Sequence, residues 1–184
     1  MFTDRQKAHI TQVKLTIRDH IKKSIVHSKY SDAVPWEDVY LSGGAIASLF
    51  QGETPKDWDF YFRHEDAMNT FVSRLKTIDD EIADVAAHYA EFLGQEGKMI
   101  TANSVTMRDK NSFITKVFGE PNQVKQSFDF LHCTVHYDVK QDLLYISPRQ
   151  YEMCVNKKLF VNNSKLVTTH RIEKFKKRGY KSYD

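Results

Sequence analysis

Two aspartates separated by one residue are the groups in this chain best suited to do chemistry. Asp57 and Asp59 lie in the apolar segment DWDFYF at 57–62, which is typical of a strand. Alternate residues of a strand point to the same face, so the two carboxylates would lie side by side. Adjacent anions repel each other, and a divalent cation relieves that repulsion. Because hard carboxylate oxygens suit Mg²⁺, the pair predicts a magnesium site.

A pair of glycines precedes this strand. Ser42, Gly43 and Gly44 follow a short apolar segment at 39–41 and lead into a predicted helix. Glycine lets a backbone turn approach a phosphate at the start of a helix, so this turn would cradle a triphosphate. Without the aspartate pair, the same residues would be interpreted as a tight strand-to-helix turn. Phosphate binding beside a magnesium site is what phosphoryl transfer requires.

The order of strand, Gly-Gly, helix and Asp-x-Asp resembles the nucleotidyltransferase superfamily typified by DNA polymerase β. The segments LSGGA at 41–45 and PKDWDF at 55–60 are most similar to the head domains of CCA-adding enzymes and bacterial poly(A) polymerases. The resemblance extends over residues 39 to 180 as short matching islands. It implies transfer of a nucleoside monophosphate from a nucleoside triphosphate to an acceptor hydroxyl. Asp57 and Asp59 would hold two Mg²⁺ ions about 4 Å apart.

The same resemblance requires a third carboxylate on a later strand. Asp129 is the candidate, because Phe128 and Phe130 repeat around it the apolar-Asp-apolar pattern of Asp59. It would share the second metal ion and help to remove the proton of the acceptor hydroxyl. Two alternatives stay open. Asp129 could cap a neighbouring backbone at a strand edge, and Asp138 on the same predicted strand is a rival ligand.

Basic residues are concentrated at both ends of the chain, although the net charge is only +3. Arg171, Lys174 and Arg178 are spaced three and four residues apart, so they share one face of the last predicted helix. In the resembling enzymes, basic residues near this point face the nucleotide or the RNA, which implies contact with one of these ligands. Lys56 is a further candidate for phosphate binding or an ordinary surface lysine. A solvated helix face is the alternative interpretation of each basic segment.

The chain departs from the CCA-adding pattern in three respects. Their Arg-Asp pair after Gly-Gly is replaced by AIAS at 45–48, their later RRDFTIN segment is missing, and so are their long RNA-binding domains. The resemblance therefore implies the catalytic class but not CCA addition to tRNA. Minimal enzymes of this type occur in bacteria and bacteriophages, with RNA, a protein side chain or a small molecule as acceptor. The base, the acceptor and the oligomeric state stay open.

Composition indicates a folded, intracellular protein. With 184 residues, of which 41% are hydrophobic, the chain suits one domain over 1–184. No apolar segment is long enough to cross a bilayer and no secretory leader precedes the fold, so a cytoplasmic location is expected. Cys133 and Cys154 lie in apolar surroundings and are expected to be reduced core thiols. His132 and His136 would point away from Cys133 on a strand, so these three do not predict a metal site.

The elements that position these groups predict an α/β (α+β) fold. It consists of a nucleotidyltransferase-type mixed β-sheet flanked by helices, with helical segments at both chain ends. An N-terminal helix would occupy 1–30, the catalytic sheet core 39–146 and a basic helical segment 148–180. The pattern predicts helices over 4–29, 44–51, 65–93, 120–126, 148–157 and 168–178, and strands over 39–41, 57–62, 99–107, 113–118, 128–137 and 142–146.

Two other classes of function compete with the enzyme. One is a nucleotide- or RNA-binding module that kept the fold and lost turnover. The other is a structural protein, such as a virion component, built on the same fold. The presence of all three candidate carboxylates favours the enzyme, because loss of any one of them would be the simplest route to inactivity.

Overall fold

A computed structural model describes residues 1–78, 92–93, 99–100, 104–107 and 110–183 of the protein. Within these ranges, no helix combines the length and the apolar character that a membrane span requires.

A mixed sheet forms the centre of the molecule, as predicted. Its eight strands in the described residues are β1 (Val39–Ser42), β2 (Trp58–Phe62), β3 (Phe92–Leu93), β4 (Met99–Ile100), β5 (Ser104–Thr106), β6 (Asn111–Ile114), β7 (His136–Asp138) and β8 (Leu143–Tyr145). They lie in the order β3-β4-β5-β6-β2-β1-β7-β8. β2 and β6 run parallel, and every other neighbouring pair of these strands is antiparallel.

Six α-helices surround the sheet in the described ranges, and most begin at local capping signals. Thr3, Glu120 and Ser147 each form a reciprocal capping box with the glutamine three residues later, which satisfies backbone N–H groups that a helix start leaves unpaired. A short parallel pair, β9 (Lys158–Leu159) and β10 (Lys181–Ser182), flanks the last helix. The helices are α1 (Asp4–Ile21), α2 (Gly44–Phe50), α3 (Glu65–Ile78), α4 (Pro121–Val124), α5 (Pro148–Val155) and α6 (Thr169–Lys177).

The two faces of β2 have different environments. Phe60 and Phe62 are fully buried in the main core, where Phe60 stacks on Phe113 of β6 with ring centroids 5.2 Å apart. Each such ring contributes about 1.5–3 kcal/mol by leaving water. α1 and α3 cover this face with Ile17 and Phe71, both fully buried. The opposite face of β2 carries Asp59 and is therefore the face on which chemistry can take place.

Several element predictions need correction. The strand predicted over 128–137 is wrong, because Leu131–Thr134 forms a 3₁₀ turn in which the Thr134 hydroxyl donates to the Leu131 carbonyl (2.7 Å), and β7 starts only at His136. Aromatic and β-branched residues there are selected by burial and not by an extended backbone. The single strand predicted over 99–107 is instead the antiparallel pair β4 and β5. Of the helix predicted over 65–93, 79–91 lie outside the described residues and Phe92–Leu93 is a strand.

Candidate active site

The centre of the candidate site is a row of polar residues across four neighbouring strands. Asp59 on β2 lies opposite Ser42 on β1 and opposite Ser112 on the parallel strand β6. Ser42 in turn lies opposite His136 on β7. Residues that pair directly across a sheet point to the same face, so these four side chains emerge together on the face away from the main core.

The two predicted aspartates differ in environment. Asp57 is exposed and lies immediately before β2, whereas Asp59 is partly buried within the strand. Burial, and secondly the charge of Asp57, raises the pKa of Asp59 to about 6, while Lys174 acts in the opposite direction. Trp58 between them faces the other way and stacks on His20 of α1 with ring centroids 3.7 Å apart. This stacking anchors the strand between the two carboxylates.

The glycine turn lies beside the partly buried Asp59. Gly43 has φ 90°, so a side chain there would strain the backbone, and its Cβ would lie in van der Waals contact with Oδ2 of Asp59 at 3.5 Å. Gly44 differs, because a Cβ there would meet nothing within 4 Å. Ser42 is buried and donates its hydroxyl to the Val135 carbonyl (2.9 Å). The observed role of Ser42 is therefore to tie β1 to the segment before β7.

The basic face of α6 runs along this site. Arg171 contacts Asp129, Lys174 acts electrostatically on Asp59, and Arg178 donates from Nη2 to the Ser48 hydroxyl in α2 (3.3 Å). Lys174 is therefore the predicted basic residue that the structure links to Asp59, whereas Arg171 contacts Asp129 and Arg178 contacts α2. Lys56 is exposed beside Asp57.

Asp129 is not in a strand and is not grouped with Asp57 and Asp59. Its side chain is 5% exposed, and its two oxygens accept from Nε (2.6 Å) and Nη2 (3.2 Å) of Arg171. The rival Asp138 is likewise engaged, since it is ion-paired with Arg63. Both late aspartates thus neutralise an arginine, and the catalytic role of Asp129 stays a prediction that this geometry does not support.

The side chains present fit one part of the predicted metal site. Asp57 and Asp59 offer adjacent hard oxygens. Burial and then the charge of Asp57 raise the pKa of Asp59, and a bound cation would offset both effects. A set of three does not form. Across the ranges that the structure describes, no group of three or more His, Cys, Asp or Glu side chains could hold a metal ion. On the neighbouring strand β6, the residue opposite Asp59 is Ser112. The Ser112 hydroxyl shares a hydrogen bond with the Thr106 hydroxyl (2.8 Å).

The buried environment of His132 was not predicted from the sequence. Both ring nitrogens of His132 are buried without a hydrogen-bond partner among the described residues, and burial lowers its pKa to about 3. The rings of Phe175 and Tyr180 lie 4.7 and 4.6 Å from it by centroid. His132 therefore packs as a neutral aromatic ring that joins the turn after Asp129 to α6. Neither this contact nor the position of Ser112 has a local sequence signal, because both depend on distant pairing.

Solved structures with a similar fold include CCA-adding enzymes. The Thermotoga maritima CCA-adding enzyme complexed with tRNA matches with a TM-score of 0.57 and 13% identity over 95% of this chain. A CCA-adding enzyme in complex with CTP matches with a TM-score of 0.55 and 15% identity, also over 95% of the chain. The alignments cover 42% of each of those proteins, so this chain spans about two fifths of their length. At such low identity the likeness shows the fold alone.

Sequence comparison identifies the family. No curated protein sequence matches the chain. A family model described as "Gabija anti-defense 2 family protein" matches residues 12–157, which include the glycine turn, both site aspartates and Asp129. Because this match covers most of the chain, the protein belongs to the Gabija anti-defense 2 family.

Proposed function

We propose that this protein is a Mg²⁺-dependent nucleotidyltransferase, which moves a nucleoside monophosphate from a nucleoside triphosphate to an acceptor hydroxyl. The observation that supports the proposal is that Asp59, which feels the charge of Asp57, lies beside the Gly43 turn and within electrostatic reach of Lys174 on α6. A carboxylate pair for a cation, a close backbone turn and facing cations are the three requirements for holding a triphosphate. The CCA-adding fold supports the same reaction class.

The reaction would proceed by in-line displacement at the α-phosphorus. The acceptor oxygen forms a bond to that phosphorus, the bond to the bridging oxygen of the β-phosphate breaks, and pyrophosphate leaves. The hydroxyl proton passes to solvent or to a carboxylate. Bound Mg²⁺ would supply charge neutralisation and a lowered hydroxyl pKa.

The protein's own side chains would position the reactants. Asp57 and Asp59 would hold the cation, and the backbone at Gly43 and Gly44 would lie along the triphosphate. Lys174 already acts on Asp59 and would offset the negative charge that gathers there. Catalysis would thus consist of orientation and charge neutralisation, with no covalent intermediate on the protein.

The ligands bound in the similar solved enzymes suggest the partners. One of those enzymes was solved with tRNA and another with CTP. We infer by analogy that a nucleoside triphosphate is the donor and that RNA is one candidate acceptor, held by the basic residues of α6. The family description suggests that the reaction acts against the Gabija defence.

A nucleotide-binding protein without turnover is the second candidate. The observation in its favour is that Asp129 is engaged by Arg171, which leaves two carboxylates at the site where the resembling enzymes have three. Such a protein would sequester nucleotides or RNA and would need the basic face of α6 more than Asp57.

Incorporation of label from α-labelled nucleoside triphosphates separates the two candidates. Each triphosphate would be offered with Mg²⁺ and with total RNA or total protein as acceptor. The matched control is Asp57→Asn/Asp59→Asn, which keeps side-chain size and removes two charges. Label that enters RNA or protein and disappears in the control supports the transferase. Triphosphate binding with no incorporation above the control, in any combination, would reject the transferase and leave the binding protein.

A further inference from the structure

We propose that Asp129 is a positioning residue for substrate binding: its carboxylate holds the guanidinium of Arg171 beside the site, and the outward N–H groups of Arg171 bind the phosphates of the donor nucleotide. This inference rests on the proposed function and deepens it. It also replaces the role of metal ligand that the sequence predicts for Asp129.

The carboxylate of Asp129 accepts three hydrogen bonds, two of them from Arg171. Oδ2 accepts from Nε of Arg171 (2.6 Å), and Oδ1 accepts from Nη2 of Arg171 (3.2 Å) and from the Phe130 amide (3.0 Å). A bidentate, charge-assisted pair of this kind is strong, and removing one partner of a buried pair is costly. A metal ion at Asp129 would therefore compete with the guanidinium of Arg171 for these oxygens.

The backbone around Asp129 is also anchored. Its carbonyl accepts from the amides of Asn162 (2.8 Å) and Asn163 (3.2 Å). The side-chain amide of Asn162 donates to the carbonyls of Lys125 (2.8 Å) and Phe128 (2.9 Å). These bonds fix the main chain before and at Asp129, so its carboxylate is held toward α6.

Arg171 is accessible where Asp129 is not. The Arg171 side chain is 34% exposed, against 5% for Asp129. Two of its five N–H groups bond to Asp129, and among the described residues no other acceptor is recorded for the guanidinium. The remaining donors suit phosphate oxygens, which arginine binds in the same planar geometry as a carboxylate.

Arg171 lies near the start of α6, one helical turn before Lys174. Thr168 caps the helix by accepting from the Arg171 amide (3.2 Å), and the guanidinium lies 4.9 Å from the centre of the Phe175 ring. One turn later Lys174 acts on Asp59. An anion bound beside Asp59 would therefore meet both cations of this helix face.

Metal binding and nucleotide binding, measured separately, test the inference. Mn²⁺ binding would be followed by electron paramagnetic resonance, and binding of each of the four nucleoside triphosphates by calorimetry in EDTA. The variants are Asp129→Asn, Arg171→Gln and their combination, with Asp57→Asn/Asp59→Asn as the metal control. Lys176→Gln is the matched charge control, because Lys176 is exposed on the same helix but five residues after Arg171 and hence on another side.

We expect Asp129→Asn to bind Mn²⁺ as the wild type does, and the Asp57→Asn/Asp59→Asn protein to lose Mn²⁺ binding. Asp129→Asn and Arg171→Gln should each weaken nucleotide binding by about tenfold, and the double variant by little more than either alone, because both changes remove one unit. Lys176→Gln should change nucleotide binding by less than about threefold. Arg171→Lys, which keeps the charge but loses the two-pronged contact, provides the same test if Asp129→Asn fails to fold.

Two results would overturn the inference. The first is loss of Mn²⁺ binding in Asp129→Asn equal to that in the metal control, which would make Asp129 a ligand. The second is nucleotide binding that is unchanged in Asp129→Asn, or no weaker in Arg171→Gln than in Lys176→Gln. Failure of the wild type to bind Mn²⁺ would instead count against the proposed transferase, while the nucleotide measurements would still decide the role of Asp129.

Discussion

Replacing Asp59 with asparagine should change how the stability of this protein depends on pH. Burial, and next the charge of Asp57, raises the pKa of Asp59 from 3.8 to about 6. A carboxyl group with a raised pKa binds its proton more tightly in the folded protein than in the unfolded chain. Its contribution to stability is therefore fully present below its unfolded pKa near 3.8 and is lost as the pH rises through about 6.

The size of this effect follows from the shift. One pKa unit corresponds to about 1.4 kcal/mol, so a rise of about two units corresponds to about 3 kcal/mol of unfolding free energy at most. Asp59 is partly exposed, and solvent screening reduces the expected value to about 1–2 kcal/mol. Asp59→Asn should therefore exceed the wild type in stability by about 1–2 kcal/mol at pH 7, a gain that disappears near pH 4.

Urea unfolding at half-unit steps from pH 4 to pH 8, followed by circular dichroism, measures this difference. His132 and His136 also contribute to the pH dependence of stability in each protein, because burial lowers their pKa values to about 3 and about 4. Bases with lowered pKa values make the folded protein less stable as the pH falls below their unfolded value. Both histidines are present in both proteins, so subtracting the two profiles leaves the contribution of Asp59.

A difference between the two proteins that stays constant from pH 4 to pH 8 would refute this assignment of the Asp59 environment. Mg²⁺ provides a second check, since binding to the folded state raises its stability. At pH 7 the wild type should gain stability with Mg²⁺, and Asp59→Asn should not. An equal gain in both proteins would show that Asp59 does not hold the cation.

Three further predictions concern the turn, a buried ion pair and the enclosed histidine. Gly43→Ala must place an alanine at φ 90° and should lower the free energy of unfolding in urea by about 1–2 kcal/mol. In Gly44→Ala the new Cβ meets nothing within 4 Å, so the free energy of unfolding should change by less than about 0.5 kcal/mol. Equal effects of the two substitutions would contradict the strain argument. Arg63→Ala leaves the Asp138 carboxylate, which is 6% exposed, without its cation. The free energy of unfolding in urea should fall by about 3–5 kcal/mol, and a fall below about 1 kcal/mol would show that the pair is dispensable for stability. His132→Leu removes two buried nitrogens that have no hydrogen-bond partner among the described residues. At pH 5 the variant should therefore have a higher urea midpoint of unfolding than the wild type. A lower midpoint would contradict this account of the His132 environment.

Local patterns in the sequence were sufficient to predict much of the fold. The mixed sheet flanked by helices is confirmed, and Gly43, with φ 90°, forms the turn between β1 and α2. Capping residues lie one helical turn from the groups that they bind, and alternating apolar residues decide which face of their own strand is buried. These interactions are decided within a few residues, so a sequence displays them directly. The side-by-side placement of Asp57 and Asp59 belongs to the same class and stays a prediction as a metal site.

The tertiary structure alone decided what surrounds those aspartates. Asp129 carries a strand-like sequence, yet its carboxylate pairs with Arg171, 42 residues later, and the segment after it turns instead of extending. Ser112 faces Asp59 only because β6 lies parallel to β2 in one register. Such contacts join segments that are distant in the chain, and their energy depends on burial and on the partner's position. No local pattern encodes these quantities, so the sequence by itself determined the candidate chemistry and the fold class, while packing decided which carboxylates share a site.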